Sequence, residues 1–339
     1  MKRIDTYCFL LLLFCACSFL LHREEALFPQ SWPEPVYNFR KNPLDSATIQ
    51  LGRTLFYDPV LSVDSMISCA SCHSPYNAFT HIDHALSHGV KDRIGTRNSP
   101  VLINLAWGKS FMWDGAVNHL DMQALAPLEN HLEMDEKLPH VIQKISRQEK
   151  YRRLFRAAFH SEDITGERFL KAISQFMLTL VSSDSKYDRV MRGDNMAAFT
   201  EREQKGYELF KQHCASCHSE PLFTNQTFQN NGLAPDSVLM DIGRMKVTRK
   251  KADSLKFKVP TLRNIERSAP YMHDGRYRSL QMVLFHYSSD IHSSPTLAPQ
   301  LRNGIRLSEE EKTQVIAFLK TLTDNTFLTN KQFQYPRVL

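Results

Sequence analysis

Apolar residues recur at helical spacing in two separated stretches. Ile173, Phe176 and Leu180 form one; Ile316, Phe318, Leu319 and Leu322 form the other. A period near 3.6 predicts amphipathic helices there. Ser308 and Glu311 make a capping box ahead of the second stretch. Alternating Val, Ile and Thr are almost absent, so strands should be few. The run Tyr7–Leu21 is of another kind: apolar throughout, and preceded by Lys2-Arg3. It is shorter than the roughly 20 residues of a membrane span. It reads as a secretory leader over residues 1–22, with a retained anchor as the other reading. Phe14-Cys15-Ala16-Cys17 loosely resembles a lipoprotein processing site with Cys17 as the lipidated residue.

The two helical stretches close two copies of one plan. Gly52-Arg53-Thr54-Leu55-Phe56 matches Gly206-Tyr207-Glu208-Leu209-Phe210. Cys69-Ala70-Ser71-Cys72-His73-Ser74 matches Cys214-Ala215-Ser216-Cys217-His218-Ser219, with Phe-Thr following each. Pro100-Val101-Leu102-Ile103-Asn104 leads to Met112-Trp113-Asp114-Gly115. Pro260-Thr261-Leu262-Arg263-Asn264 leads to Met272-His273-Asp274-Gly275 at the same spacing. Two homologous, mainly helical domains with long loops follow, over 40–190 and 200–325. Charged residues and Gly193-Asp194-Asn195 interrupt the apolar pattern near Ser183–Thr200, where the copies join.

With 339 residues there is room for two domains, and 42% hydrophobic with 23% charged residues is a globular balance. The net charge of +6 is too small, and too poorly interleaved with aromatics, for a nucleic-acid surface. Six basic residues in Lys246–Lys258 read either as a solvated loop or as a meeting place for an acidic donor.

The cysteines narrow the chemistry. Cys8, Cys15 and Cys17 lie in the leader; Cys69, Cys72, Cys214 and Cys217 all belong to the Cys-x-x-Cys-His runs. None remains for a structural disulfide, despite an exported chain. Two cysteines three apart can form thioethers to haem vinyl groups, and the His that follows is held as an iron ligand. A thioredoxin-like pair has no use for the His, and structural zinc takes closed sets of four ligands. Two covalent haems c, on Cys69, Cys72 and His73 and on Cys214, Cys217 and His218, account for every thiol outside the leader.

From about Leu51 to Thr323 the chain resembles the bacterial di-haem cytochrome c peroxidase family, which includes the MauG-like enzymes. Beyond the haem runs, the resemblance rests on Gly95-Thr96-Arg97-Asn98-Ser99-Pro100, Phe111-Met112-Trp113-Asp114-Gly115, Gln123-Ala124, Pro127 and Glu133-Met134. In the second copy it rests on Val259-Pro260-Thr261-Leu262-Arg263-Asn264 and Ala269-Pro270-Tyr271-Met272-His273-Asp274-Gly275. It implies two tandem class I cytochrome c-like domains. The haem on His73 would be the peroxidatic site, and that on His218 the electron-transfer site. Trp113 would lie between them. Gln123 and Glu133 would form the distal pair, with Glu133 shuttling the proton in O–O cleavage. His88 falls near the place of a distal His in some members, in a loop two residues longer than the family pattern; His81 and His84 compete with it.

The sixth ligand of the second haem departs from the peroxidases proper. Tyr287 stands where they carry Met, as in the MauG-like branch; Met282, Met272 and His286 are the alternatives. The resemblance also implies a calcium ion held by the Asn98 side chain and the carbonyls of Ser268 and Pro270. Family members are often dimers.

Three functions are then open. The first is a periplasmic peroxidase that reduces hydrogen peroxide with electrons from a small cytochrome c or cupredoxin. The second is a MauG-like oxidase that stores oxidising equivalents on its haems for a protein or organic substrate. The third is a non-enzymatic dihaem electron carrier, which leaves Gln123 and Glu133 without purpose.

Overall fold

The computed structural model describes residues 27–81 and 83–336; the leader and Cys17 lie outside them. Seven helices of nine residues or more carry the described fold: α1 (Ser46–Tyr57), α2 (Leu138–Ser146), α3 (Glu149–Phe159), α4 (Gly166–Leu178), α5 (Glu201–His213), α6 (Leu280–Ser289) and α7 (Glu309–Lys320). The strands are two residues each, Phe228–Gln229 antiparallel to Phe257–Lys258. No described helix is long and apolar enough to cross a membrane.

Caps start the helices where the side chains predict. Asp45 accepts from Thr48 N at 2.8 Å ahead of α1, and the Ser308–Glu311 box forms ahead of α7. A second box, Thr200 with Glu203, starts α5. The repeat then appears as two helix crossings. In the first, α1 lies on α4 at Gly52, where a Cβ would sit 1.8 Å from the Ala172 carbonyl oxygen. In the second, α5 lies on α7 at Gly206, where a Cβ would sit 1.9 Å from that of Gln314. Only glycine lets two backbones approach so closely.

Each crossing anchors a separate apolar core. The first holds Leu55, Phe56, Phe79, Phe155, Ile173 and Phe176; the second holds Phe210, Phe223, Leu284, Val315, Phe318 and Leu322. Two chain segments cross the sequence-based division. The short helix Lys186–Met191 puts Tyr187 into the second core. The tail after α7 returns to the first, where Phe327 and Phe333 are buried and Arg53 Nε donates to Gln334 O at 2.9 Å.

The duplicated loops share their backbone as well. Asn104 and Asn264 take φ of 56° and 58°, and Met112 and Met272 take 68° and 76°. The halves meet along these loops. Asn98 N donates to His273 O at 2.7 Å, and Lys258 N to Trp113 O at 2.7 Å. Arg97 spans the junction, with Nη1 2.7 Å from Asp114 and Nε 2.6 Å from Asp241.

Candidate functional site

Each Cys-x-x-Cys-His run is set so that its side chains face a cavity. Cys69–Cys72 is one helical turn, begun by Ser68 and tied by the Ser71 hydroxyl, which accepts from Ser68 N. His73 closes that turn, its N–H bonded to Cys69 O at 2.9 Å. Its ring Nδ1 lies 2.8 Å from Phe79 O. A carbonyl can only accept, so Nδ1 carries the proton and Nε2 is bare. His218 repeats this, with Nδ1 3.1 Å from Pro260 O and 3.2 Å from Phe223 O. Burial pushes both imidazoles down to about 4, so they are neutral. The four cysteines form no disulfide. Paired free thiols beside an imidazole with its distal nitrogen bare fit covalent haem at both places.

The two surroundings differ. Cys69, Cys72 and His73 border a small cavity of about 40 Å³ whose other walls include Gln123, Pro127 and Glu133. Glu133 accepts from Asn130 Nδ2 at 2.7 Å, and burial raises its carboxyl above the ordinary range. Its acidic neighbours do other work: Asp135 pairs with Arg93 at 2.7 Å and Glu136 with Lys144 at 2.6 Å. Gln123 is 8% exposed and lies 3.9 Å from Met112 Sδ.

His88 is not part of this cavity wall. Its Nδ1 lies 2.8 Å from Asp92, and its ring stacks on His84 at 4.1 Å. His84 stacks in turn on His81 at 5.2 Å. Gly89 lines the cavity instead, packed against the backbone of Leu132 and Glu133.

Cys214, Cys217 and His218 open on a larger cavity of about 300 Å³, which Tyr287, Met272 and Trp113 also border. Tyr287 is half-buried, and desolvation pushes its phenol up to about 12. The alternatives separate. Met282 is 43% exposed and lies off the cavity. His286 is fully buried but turned onto Asn231 O at 3.0 Å. Met272 reaches the cavity, with its sulfur 3.3 Å from Asn231 Nδ2.

Trp113 stands where the halves touch, its Nε1 donating to Asn98 O at 2.8 Å. Asn98 Nδ2 donates to Ala85 O at 2.9 Å. Asn98, Ser268 and Pro270 border the same cavity. Sequence reasoning missed two residues here. Asn231 supports both His286 and Met272. Lys258 lines the cavity without a carboxylate partner among the described residues, and burial pushes its ammonium down to about 8. Lys258 was marked only as the end of the basic run Lys246–Lys258, with no sign that it lines this cavity; nothing in the sequence marked Asn231.

Residues 46–196 match the profile of the di-haem cytochrome c peroxidase family, and residues 203–323 match that of cytochrome c. The methylamine utilization protein MauG of Methylorubrum extorquens is 36% identical over 87% of this chain and 82% of its own length. The cytochrome c551 peroxidase of Nitrosomonas europaea is 34% identical over 86% of this chain and 84% of its own. A crystal structure of a MauG-like protein associated with microbial copper homeostasis superposes with a TM-score of 0.82 at 32% identity. It covers 91% of this chain and 98% of that one. With two Cys-x-x-Cys-His cavities, a duplicated helical plan and relatives of this extent, the chain belongs to the di-haem cytochrome c peroxidase family, MauG proteins included.

Proposed function

We propose that the protein is a periplasmic peroxidase that reduces hydrogen peroxide to water with electrons from a small cytochrome c or cupredoxin. The observation that carries this reading is Glu133, a half-buried carboxyl that no lysine or arginine pairs with among the described residues, lining the same small cavity as His73. Cys69, Cys72 and His73 would hold a haem whose iron would supply the site for peroxide, and Cys214, Cys217 and His218, with Tyr287, would hold a second that would supply a redox centre. The overall balance is one peroxide, two electrons and two protons to two waters.

Glu133 takes the proton from one peroxide oxygen and returns it to the oxygen that leaves as water. A carboxyl with a raised pKa suits both halves of that task. The Gln123 amide donates to the bound oxidant and orients it. Trp113, in contact with both halves, carries the electron between the two sites. His88, bonded to Asp92 away from the cavity wall, leaves the first site open in this arrangement. Asn98 with the carbonyls of Ser268 and Pro270 would clamp a calcium ion between the halves. Removal by chelator should then lower turnover, and added calcium should restore it.

The test is steady-state peroxide reduction by the holoprotein with a reduced cytochrome. Glu133→Gln should lower kcat/KM about 100-fold; equal turnover would refute the assignment. A second reading rests on Tyr287. A tyrosine at that cavity favours a MauG-like oxidase acting on a protein or organic substrate, because an anionic oxygen ligand stabilises oxidised iron. Tyr287→Phe should change the absorption of the His218 haem. An unchanged spectrum would remove this second reading and leave the first.

A further inference from the structure

Near His218, reached through Phe223, lies a polar cluster that peroxide reduction does not use. Tyr187 and Tyr207 both donate their phenol hydrogens to one carboxylate oxygen, Glu220 Oε1; the Tyr207 bond is 2.8 Å. No lysine or arginine pairs with Glu220 among the described residues. Its partners are the two phenols, and one oxygen has lone pairs for both.

The pair is placed on a line from His218 to the surface. His218 Nδ1 lies 3.2 Å from the carbonyl of Phe223. The Phe223 ring meets Tyr187 edge-on at 4.8 Å, and Tyr187 meets Tyr207 at 6.1 Å between centroids. Tyr187 is 4% exposed, whereas Tyr207 is only half-buried and carries Lys211 Nζ 4.5 Å above its ring. The line therefore runs from a proposed iron ligand, through the core, to an outward-facing aromatic under a cation.

Two phenols tied to one carboxylate could serve simply as a brace between α5 and the loop after the second haem motif. A brace, however, has no need to reach His218 or to end at the surface. Phenols are hard to oxidise unless the proton has somewhere to go, because a protonated phenol radical is a very strong acid. Burial and Glu220 push the Tyr207 phenol up to about 12, so it holds its proton at neutral pH until it loses an electron. Both phenol hydrogens already point at Glu220 Oε1, so a released proton moves along an existing hydrogen bond.

We propose that Tyr187 and Tyr207, with Glu220 as their shared proton acceptor, form a redox relay that carries an oxidising equivalent from the His218 haem to the protein surface. Tyr187 gives one electron to the oxidised haem centre and its phenolic proton to Glu220. Tyr207 then gives one electron to the Tyr187 radical. The proton returns from Glu220 to Tyr187, and the Tyr207 proton replaces it on Glu220. The sum is one electron to the haem, one proton on Glu220, and a neutral radical on Tyr207. An external one-electron donor at the Tyr207–Lys211 face restores the phenol, which retakes the proton. The relay rests on the peroxidase reading for its oxidant, and it gives that reading an electron entry point at the surface, apart from the Trp113 path between the two sites.

The test uses the holoprotein treated with hydrogen peroxide, freeze-quenched and examined by electron paramagnetic resonance, with ring-deuterated tyrosine to identify the radical. The native protein should show a tyrosyl signal that Tyr207→Phe alters and Tyr187→Phe suppresses. Glu220→Gln should slow its appearance at least about tenfold, and should abolish the solvent deuterium effect on that rate; a mere brace would leave that effect unchanged. A normal haem absorbance change with no tyrosyl signal, or a signal that survives in the double Phe variant, overturns the relay. If peroxide leaves the haem absorbance unchanged, the peroxidase reading fails instead. The relay is then judged by flash oxidation with a ruthenium tris-bipyridine sensitiser: the same Tyr207 signal supports it and no signal overturns it.

Discussion

Glu133 and Glu136 are three residues apart and opposite in state. Glu136 is held below the ordinary carboxyl range by Lys144, while Glu133 is held above it by burial. In sequence they are two acids of one short cluster. What separates them is Lys144, whose ammonium reaches Glu136 at 2.6 Å and does not reach Glu133. The raised pKa has two consequences of opposite sign. In its proposed role of proton acceptor, Glu133 works only when ionised, so turnover should rise with pH through a limb above the free value of about 4.3; Glu133→Gln should lack that limb. For stability, the folded state binds this proton more tightly than the unfolded one. The contribution is present below the unfolded pKa and lost as pH rises through the folded value. At pH 7 Glu133→Gln should therefore melt higher, by about 2 °C, in a calorimetric scan. An unchanged or lower melting temperature would show that the carboxyl is better solvated than its burial indicates. The two Cys-x-x-Cys-His runs, by contrast, stand out by residue type and spacing alone, and the structure sets each of them on a cavity. The sixth-ligand position was legible only as a choice among neighbours. Exposure of Met282 and the turn of His286 onto Asn231 follow from how α6 packs, which spacing does not disclose.

At the scale of elements, Gly52 and Gly206 show how much a repeat can reveal. Both were visible as anchors of the duplicated plan. Their reason is the helix crossing: each is the point where one backbone rests against another. Gly206→Ala would put a methyl group 1.9 Å from the Gln314 carbonyl oxygen, and that atom belongs to backbone in α7 and cannot swing aside. The α5–α7 pair must separate along its length, at a cost of about 3 kcal/mol. Denaturant unfolding of the holoprotein should show that loss, and Gly52→Ala should show a like one through α1 and α4. An exposed helical glycine such a change would instead stabilise, so the sign of the effect decides the matter. Of the helices, α4 and α7 were legible from apolar spacing, and the start of α7 from its capping box. The loops between them were not. Asn104 and Asn264 suit a positive φ, but Met112 and Met272 do not, and only their surroundings hold them there.

At the scale of the whole molecule, the feature hidden from a single sequence is how the halves are fastened. The return of Phe327 and Phe333 to the first core is one fastening. Arg97 is another: it belongs to the first half, and Asp241 lies 144 positions away in the second. Nothing in composition or spacing pairs them; the pairing exists because the Trp113–Gly115 turn brings Asp114 to the junction, and Arg97 answers both carboxylates. Asp114 and Asp241 are each less than a tenth exposed, so Arg97→Met would leave two carboxylates facing one another in a poorly solvated place. Breaking such a buried arrangement from one side costs about 3–5 kcal/mol. The loss should fall on the junction rather than on either core. A calorimetric scan of the holoprotein should then resolve two transitions where the native chain gives one. The rate of electron exchange between the haems should fall, because the turn that carries Trp113 loses its hold on the second half. Adding Asp114→Asn and Asp241→Asn to Arg97→Met removes the stranded charge and should recover much of the stability. It should not recover the exchange rate, since two amides cannot rebuild the bridge. Recovery of both would mean that Arg97 acts by charge balance alone and that Trp113 is positioned by other contacts, of which the Lys258 N–H to Trp113 carbonyl bond is the first to test.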